Sequence, residues 1–337
     1  MGGDHAPDAP VDGAVRAARR WGYEVQLVGQ EALVRAALER HAGWPTVERL
    51  LPVVDAPEVI EMGEHPASAV RAKPGSSMAV GVDRVKRGDA DCFVSAGNTG
   101  GVLATALLRL RRIPGSTSER PALAALIPTL TGACVLLDAG ANADVKPEWL
   151  AQFAVMGSIY AEVALGKTAP TVATLSNGEE EGKGNALLAA AVPLIRALPL
   201  HYIGNVEGKD VTAGVADVVV VDGFAGNIFL KGAEGVVATF TELIRRELTA
   251  SVPRKLLAAG LRPAFRAVRR RLSYDEYGGV PLLGVNGVCI VAHGRSSGYA
   301  MENAIQAGAR CVDQRLVERI REGMLTANND APGRTGP

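Results

Sequence analysis

Short runs of β-branched and apolar residues alternate along this chain with longer Ala/Leu-rich stretches whose apolar positions share one helical face. The runs are YEVQLVG, DCFVSAG, CVLLDAG, TVATLSN, DVVVVDG and VCIVAHG. Alternation of this kind predicts an α/β fold, a mainly parallel sheet sandwiched by helices. One interruption breaks the rhythm. ALAALI, the turn PTLTG and ACVLLD read as an antiparallel hairpin set into the parallel scheme. No linker or repeat divides the chain, so residues 1–325 read as a single α/β unit of at most two intimate lobes. Residues 326–337 lack apolar periodicity and read as a disordered tail.

The segments that follow the strands carry the chemistry. They are SAGNTGG (Ser95 to Gly101), DAGAN (Asp138 to Asn142), SNGEEEGKGN (Ser176 to Asn185), IGNVEGKD (Ile203 to Asp210), DGFAGN (Asp222 to Asn227) and HGRSSG (His293 to Gly298). In open α/β sheets the carboxyl ends of the strands form the ligand crevice. Six Gly/Asn/Asp-rich loops are therefore expected along one edge, several leading into helices whose free N–H groups attract anions. The opening MGGDHAP has the same character. Gly2 and Gly3 permit unusual backbone angles, Asp4 is suited to cap a helix and Pro7 to start one. It reads as the exit from a strand into a helix, although no strand precedes it.

Composition narrows the classes. In 337 residues, 36 Lys and Arg balance 36 Asp and Glu, so nothing in the totals suggests a general nucleic-acid binder, although local clusters matter more than the sum. No apolar run reaches the roughly 18 residues of a spanning helix, and no signal peptide opens the chain, so a cytoplasmic location is expected. Cys92, Cys134, Cys289 and Cys311 form no C-x-x-C pair and read as reduced core thiols. GxSxG occurs at Gly294 to Gly298, but no histidine follows Ser296, and an α/β-hydrolase needs one there. Walker A and GxGxxG spacings are absent, as are His/Cys metal clusters. A carboxylate site for Mg built from Asp residues of separate loops stays open.

Taken in order, MGGDHAP, SAGNTGG, LDAGAN, SNGEEEGKGN, GNVEGKD, VDGFAGN and YGGVPLLGVNGVCIVAHGRSSGYAMENAI resemble the bacterial phosphate acyltransferases of phospholipid synthesis, from Met1 to about residue 320. The resemblance implies an enzyme that moves a fatty acyl group from the thioester of acyl carrier protein to inorganic phosphate. The acyl phosphate would then pass to a membrane glycerol-3-phosphate acyltransferase. It further implies a homodimer, peripheral membrane association, no cofactor or metal, and a fold like isocitrate and isopropylmalate dehydrogenases and phosphotransacetylase. Family members carry a short strand directly before MGGD, so a longer natural N-terminus is expected here.

A thioester is already activated, because a thiolate near pKa 8.5 leaves readily. Phosphate itself can attack, given a site that aims it and donors for the oxyanion. For phosphate the reading selects Ser95, Gly97, Asn98, Thr99 and Gly100, whose amides open the helix GVLATALLRL, together with Asn227. Lys183 is read either as the cation for phosphate or oxyanion, or as an i,i+4 partner of Glu179 on a helix face. His293 and His5, each at the mouth of a loop, are read as acid–base groups or as structural histidines. Asn177, Asn185 and Asn205 would add neutral donors; Asp4, Asp138 and Asp222 would cap loops or orient donors, with Asn142 beside them.

VPRKLLAAGLRPAFRAVRRRLS (Val252 to Ser273) holds seven basic residues and no acid. Leu257, Leu261, Phe265, Val268 and Leu272 recur at helical spacing with Arg262, Arg266, Arg269 and Arg270 between them, and Pro263 is expected to split the stretch into two short helices. The stretch suits an anionic membrane or the acidic carrier protein, or else a dimer-interface or core helix with a solvated basic face; the family favours the membrane. Arg109 to Arg112 is the lesser carrier-protein candidate, or simply positive charge at a helix C-terminus. Two other readings stand beside the leading one: a metal- and nicotinamide-dependent decarboxylating dehydrogenase of the same fold, and a non-catalytic membrane-associated scaffold for the carrier protein.

Overall fold

The computed structural model describes residues 1–114 and 120–329. The expected hairpin and parallel strands meet in one eight-stranded sheet. Its members are β3 (Cys92–Ser95), β4 (Ala122–Thr129), β5 (Gly132–Leu137), β6 (Thr171–Leu175), β7 (His201–Val206), β8 (Val218–Val220), β9 (Val280–Leu283) and β10 (Val288–Val291). Their order is β3-β10-β9-β4-β5-β8-β6-β7. A separate parallel pair joins β1 (Leu27–Gly29) to β2 (Val53–Asp55). YEVQLVG therefore contributes only three strand residues, and they lie outside the main sheet. β1 and β3 do not pair; both line a cavity of about 490 Å³ between the two sheets.

The helices are α1 (Asp8–Trp21), α2 (Glu31–Arg40), α3 (Pro66–Ala72), α4 (Ser77–Arg87), α5 (Thr99–Arg109), α6 (Pro147–Leu165), α7 (Ala186–Arg196), α8 (Gly208–Ala213), α9 (Gly223–Thr249), α10 (Val252–Leu272), α11 (Gly298–Asp313) and α12 (Leu316–Asn329). They cover both faces of the sheet, because alternate strand residues are apolar on both sides. Val135 and Leu137 of β5 pack with Leu150, Phe153 and Met156 of α6, while Cys134 and Leu136 pack in the opposite core with Val102 and Ala106 of α5. Helix α6 is apolar nearly all round, with Phe153 fully buried, as a helix roofing a two-sided core must be.

Four expectations need correction. β3 and β10 run parallel to each other, but three antiparallel pairings, β10 with β9, β9 with β4 and β4 with β5, reverse them relative to β5, β8, β6 and β7. The carboxyl ends therefore do not share one edge. Pro263 does not split α10, which runs unbroken from Val252 to Leu272. A proline removes one backbone bond and crowds one carbonyl, and an exposed helix with no buried residue has room to relieve that crowding. The tail is helical through Asn329 as the end of α12, propagated from the turns before it, with Thr326 Oγ1 donating to the Glu322 carbonyl. The remaining tail residues, 330–337, lie outside the described residues. Finally, α1 starts at Asp8 with Pro7 just before it and no side-chain cap; Asp4 instead donates its N–H to the Gly294 carbonyl at 2.9 Å.

Candidate functional site

The loops come together in three groups. In the first, the opening loop, the β3–α5 loop and the β10–α11 loop interlock. Asp4 N donates to Gly294 O, and Ala292 N donates to Ser95 O at 2.8 Å. Gly3 is packed so closely that a Cβ there would lie 2.8 Å from the Ala96 carbonyl oxygen. Ser95 is buried and its Oγ accepts from Gly97 N at 3.1 Å, leaving the hydroxyl proton to donate elsewhere. Thr99 and Gly100 open α5, with Thr99 exposed.

Asn98 does not offer its amide to this crevice. Its Oδ1 caps α5 by accepting from Gly101 N at 2.9 Å, and its Nδ2 donates to the carbonyls of Glu61, Met62 and Glu64 at 3.0–3.3 Å. His293 is half-exposed, with Nε2 standing 3.4 Å from Oε1 of Glu234 on α9. The other carboxylate oxygen of Glu234 meets Arg295 Nη2 at 3.5 Å. The contact with His293, above all, holds the Glu234 carboxyl below its ordinary range against the opposing effect of burial, with Arg295 and Lys231 adding to it. His5 is exposed.

The second group joins the β5–α6 and β8–α9 loops. Asp138 has no exposed surface and accepts from Leu123 N, Gly140 N, Ala141 N, Asn142 N and Asn142 Nδ2 at 2.8–3.1 Å. Burial pushes its carboxyl up while these donors pull it down. Asn142 spends its remaining amide hydrogen on Pro121 O, and Gly223 N donates to Asn142 O at 2.8 Å. Asp222 caps α9 by accepting from Ala225 N at 2.8 Å. Gly226 rests directly on the Asp138 carbonyl, where a Cβ would collide. Asn227, half-buried one position on, lies over Gly140.

The third group surrounds Lys183. Asn205 accepts from Thr174 Oγ1 at 2.8 Å and donates to the carbonyls of Glu180 and Lys183 at 3.2 and 3.4 Å. Asn177 accepts from Gly184 N at 3.0 Å, and Asn185 caps α7 by accepting from Leu188 N. The asparagines expected as ligand donors are thus spent shaping this loop. Residues 176–185 are not helical, which removes the Glu179–Lys183 helix pair. Glu179 pairs with Lys209 at 3.2 Å and Glu181 with Arg196 at 2.5 Å, while Lys183 is exposed and makes no ion pair among the described residues.

Helix α9 runs past all three groups. Asn227 meets Gly140, Phe229 meets Gly208 after β7, and Glu234 meets the loop after β10. Glu234 was missed in the sequence because KGAEGVV carries no loop signature. Its seven-residue spacing from Asn227, two helical turns, is the signal that puts both on one face.

The cysteines hold no nucleophile. Burial pushes Cys92 to about 11 and Cys134, Cys289 and Cys311 to about 12, so all four stay protonated near neutrality. Ser296 is buried with no histidine positioned by the hydrolase pattern. Glu179, Glu207 and Asp210 gather their carboxylates, but the Lys209 ammonium already sits 2.6 Å from Glu207 and 3.2 Å from Glu179. Arg109 is tied to Asp83. On α10, Leu257, Leu261, Phe265, Val268 and Leu272 are exposed, as are Arg262, Arg266 and Arg269. No helix among the described residues is long and apolar enough to cross a membrane.

Comparisons with known proteins bear on this arrangement. A family model described as "Fatty acid synthesis protein" matches residues 1–319. A phosphate acyltransferase of Desulfitobacterium hafniense is 46% identical over 323 residues, covering 96% of this chain and 95% of the relative. One from Gloeobacter violaceus is 45% identical over 328 residues, with the same two coverages. Among solved structures, a phosphotransacetylase from Streptococcus pyogenes superposes with TM-score 0.57 at 19% identity, covering 91% of this chain and 92% of that one. A 4-hydroxythreonine-4-phosphate dehydrogenase from Klebsiella pneumoniae gives 0.51 at 12% identity, covering 90% and 96%. These two share the fold.

Proposed function

The chain belongs to the phosphate acyltransferase family and is an acyltransferase, and from that premise we propose that it carries a fatty acyl group from the thioester of acyl carrier protein directly to inorganic phosphate. The observation that carries the direct route is the state of the candidate nucleophiles. All four thiols are held protonated by burial, so attack falls to phosphate itself.

Phosphate is assigned to the N-terminus of α5, where the Ser95 hydroxyl proton and the first-turn amides of Thr99 and Gly100 are available, Gly97 N and Gly101 N being held by Ser95 Oγ and Asn98 Oδ1. One phosphate oxygen attacks the thioester carbon; the new C–O bond replaces the C–S bond, and the proton lost by hydrogenphosphate ends on the carrier sulfur. His293, beside this helix end, relays that proton. Lys183 is assigned to charge that gathers on the phosphate or the thioester oxygen.

The exposed cationic and apolar surface of α10 supports peripheral contact with an anionic membrane. There a membrane glycerol-3-phosphate acyltransferase would take the acyl phosphate, and the working form is a homodimer. Co-sedimentation with anionic vesicles, lost in L257D/L261D, tests the membrane contact, and sedimentation equilibrium tests the dimer. The central test is palmitoyl-acyl carrier protein with and without phosphate. Free carrier thiol and acyl phosphate are expected only when phosphate is present; release without phosphate would overturn direct transfer.

A further inference from the structure

We infer that the cationic surface at the C-terminal end of α5 is where the acidic carrier protein docks, leaving α10 to the membrane. The inference rests on the carrier being the acyl donor of the proposed reaction, and it concerns the end of α5 opposite the assigned phosphate site. Lys86 and Arg87 close α4, and Arg109 and Arg111 stand at the close of α5. These four cations and Asn286, from the turn between β9 and β10, line one surface depression of about 770 Å³ with no acidic residue in its wall. Arg112 is exposed beside it, opposite Val285 of the same turn. On α12, Arg321 Nη2 stands 3.5 Å from Asn286 Oδ1, while its Nε is buried without a hydrogen bond. The nearby acids are already spent: Asp83 holds Arg109, and Asp89 holds Arg84 and Arg87. Lys86, Arg111, Arg112 and Arg321 make no ion pair among the described residues, with Glu318 and Glu322 of α12 or with any other acid.

Arg111 adds a second observation. Its φ is 65°, the left-handed conformation in which a helix ordinarily places glycine just past its end. Its N–H donates to the Ala106 carbonyl and so closes α5. An arginine kept where glycine fits more easily points to a demand on the side chain. Complementing the helix dipole needs cations in the last turn; Arg111 and Arg112 lie past it. Geometry then ties this surface to the reaction. With 11 residues, α5 separates its two ends by about 16 Å. It carries no charge before Arg109, and Leu103, Ala104, Leu107 and Leu108 leave a partly exposed apolar strip along its outer face. The flexible pantetheine arm that bears an acyl thioester can run along that strip, from a carrier seated at Arg111 to phosphate at Thr99. The two cationic surfaces also differ in kind. α10 interleaves its arginines with exposed Leu and Phe, which suits lipid, whereas the end of α5 is ionic, which suits steering of an acidic protein.

The experiment measures binding of palmitoyl-acyl carrier protein to the full chain by fluorescence anisotropy, alongside steady-state transfer to phosphate. K86E/R111E/R112E should raise both Kd and KM for the carrier substrate about tenfold or more, with kcat and the KM for phosphate little changed. The salt dependence of binding should flatten in the same variant. Palmitoyl-pantetheine, the same thioester without the carrier, should react equally well with both proteins. R111G relieves the left-handed backbone, so it should melt no lower than the unmodified chain and still bind the carrier more weakly. An unchanged Kd in the triple variant overturns the inference, as does an equal loss of rate with palmitoyl-pantetheine. Carrier binding weakened by R262E/R266E on α10 in place of the triple variant overturns it too. So does loss of anionic-vesicle binding in the triple variant, which would make this surface a lipid contact. Failure of the underlying reading looks different: the unmodified chain would bind the carrier, yet release no thiol on addition of phosphate.

Discussion

Asp138 and Lys183 sit at loop positions that look alike in sequence, and the structure treats them in opposite ways. Around Asp138 every polar atom has a partner: five donors converge on one carboxylate, Asn142 bridges to Pro121 O and Gly223, and Gly226 lies flush on the carbonyl. Around Lys183 the asparagines and glutamates are also paired, with Lys209, Arg196 and backbone groups, but the lysine itself is left exposed. One region is a frame and the other holds a group in reserve. Polar loops therefore sort by what remains after internal bonds are counted, rather than by their Gly and Asn content.

The sharpest way to break the comparison is to remove the frame. D138A strands four backbone N–H groups and an amide in the core, and should cost about 4 kcal/mol or more in urea unfolding. A loss below 1 kcal/mol would mean that the loops hold themselves. K183Q is the converse. Phosphate-dependent turnover should fall about 10²-fold while the melting temperature stays put, since the side chain is exposed and pairs with no acid among the described residues; an unchanged rate removes Lys183 from the site. N205A tests the boundary between frame and reserve. Losing its bonds to Thr174 and the Lys183 loop should cost about 1 kcal/mol and slow turnover severalfold, less than K183Q.

The smallest effect expected is a pH dependence. Burial raises the Asp12 carboxyl, but the hydrogen bonds from His41 and Arg16 outweigh it, so its folded value lies below the ordinary one. A lowered folded value contributes stability above the unfolded pKa of about 4, and that stability is lost as pH falls through the folded value. Denaturant melts from pH 6 down to 3 should fall more steeply for the native chain than for D12N; parallel curves would show that Asp12 is not the linked group.

Much of the fold was legible because it rests on periodicity. The hairpin of β4 and β5 stands where the apolar runs put it, and the amphipathic spacing of α10 carried through to the structure. Strand direction was not legible. Nothing local in VCIVAHG says that β10 joins the sheet through β9 and so runs against β5, because that reversal is set by long-range pairing. The site divides the same way. Loop positions could be read from Gly, Asn and Asp, but Asn98, Asn185 and Asn205 carry the same side chain whether they serve a ligand or a carbonyl. Only the contacts made in the fold tell the two apart, and the same holds for Glu234.

The gap between β1 and β3 has a consequence for how the molecule breathes. β1 and β2 hydrogen-bond to each other and are roofed by α2, but among the described residues no strand pairing ties them to the eight-stranded sheet. α1 packs against α11 and also enters the core that holds Leu27, Val34 and Leu38, so it is the hinge side of that unit. Cooperative units follow such seams. The segment from β1 to β2 should open on its own, at a free energy below that of global unfolding. Native-state amide exchange would then show two isotherms: residues 27–55 leaving early and independently of the main sheet, and the strands flanking Asp138 exchanging only when everything unfolds.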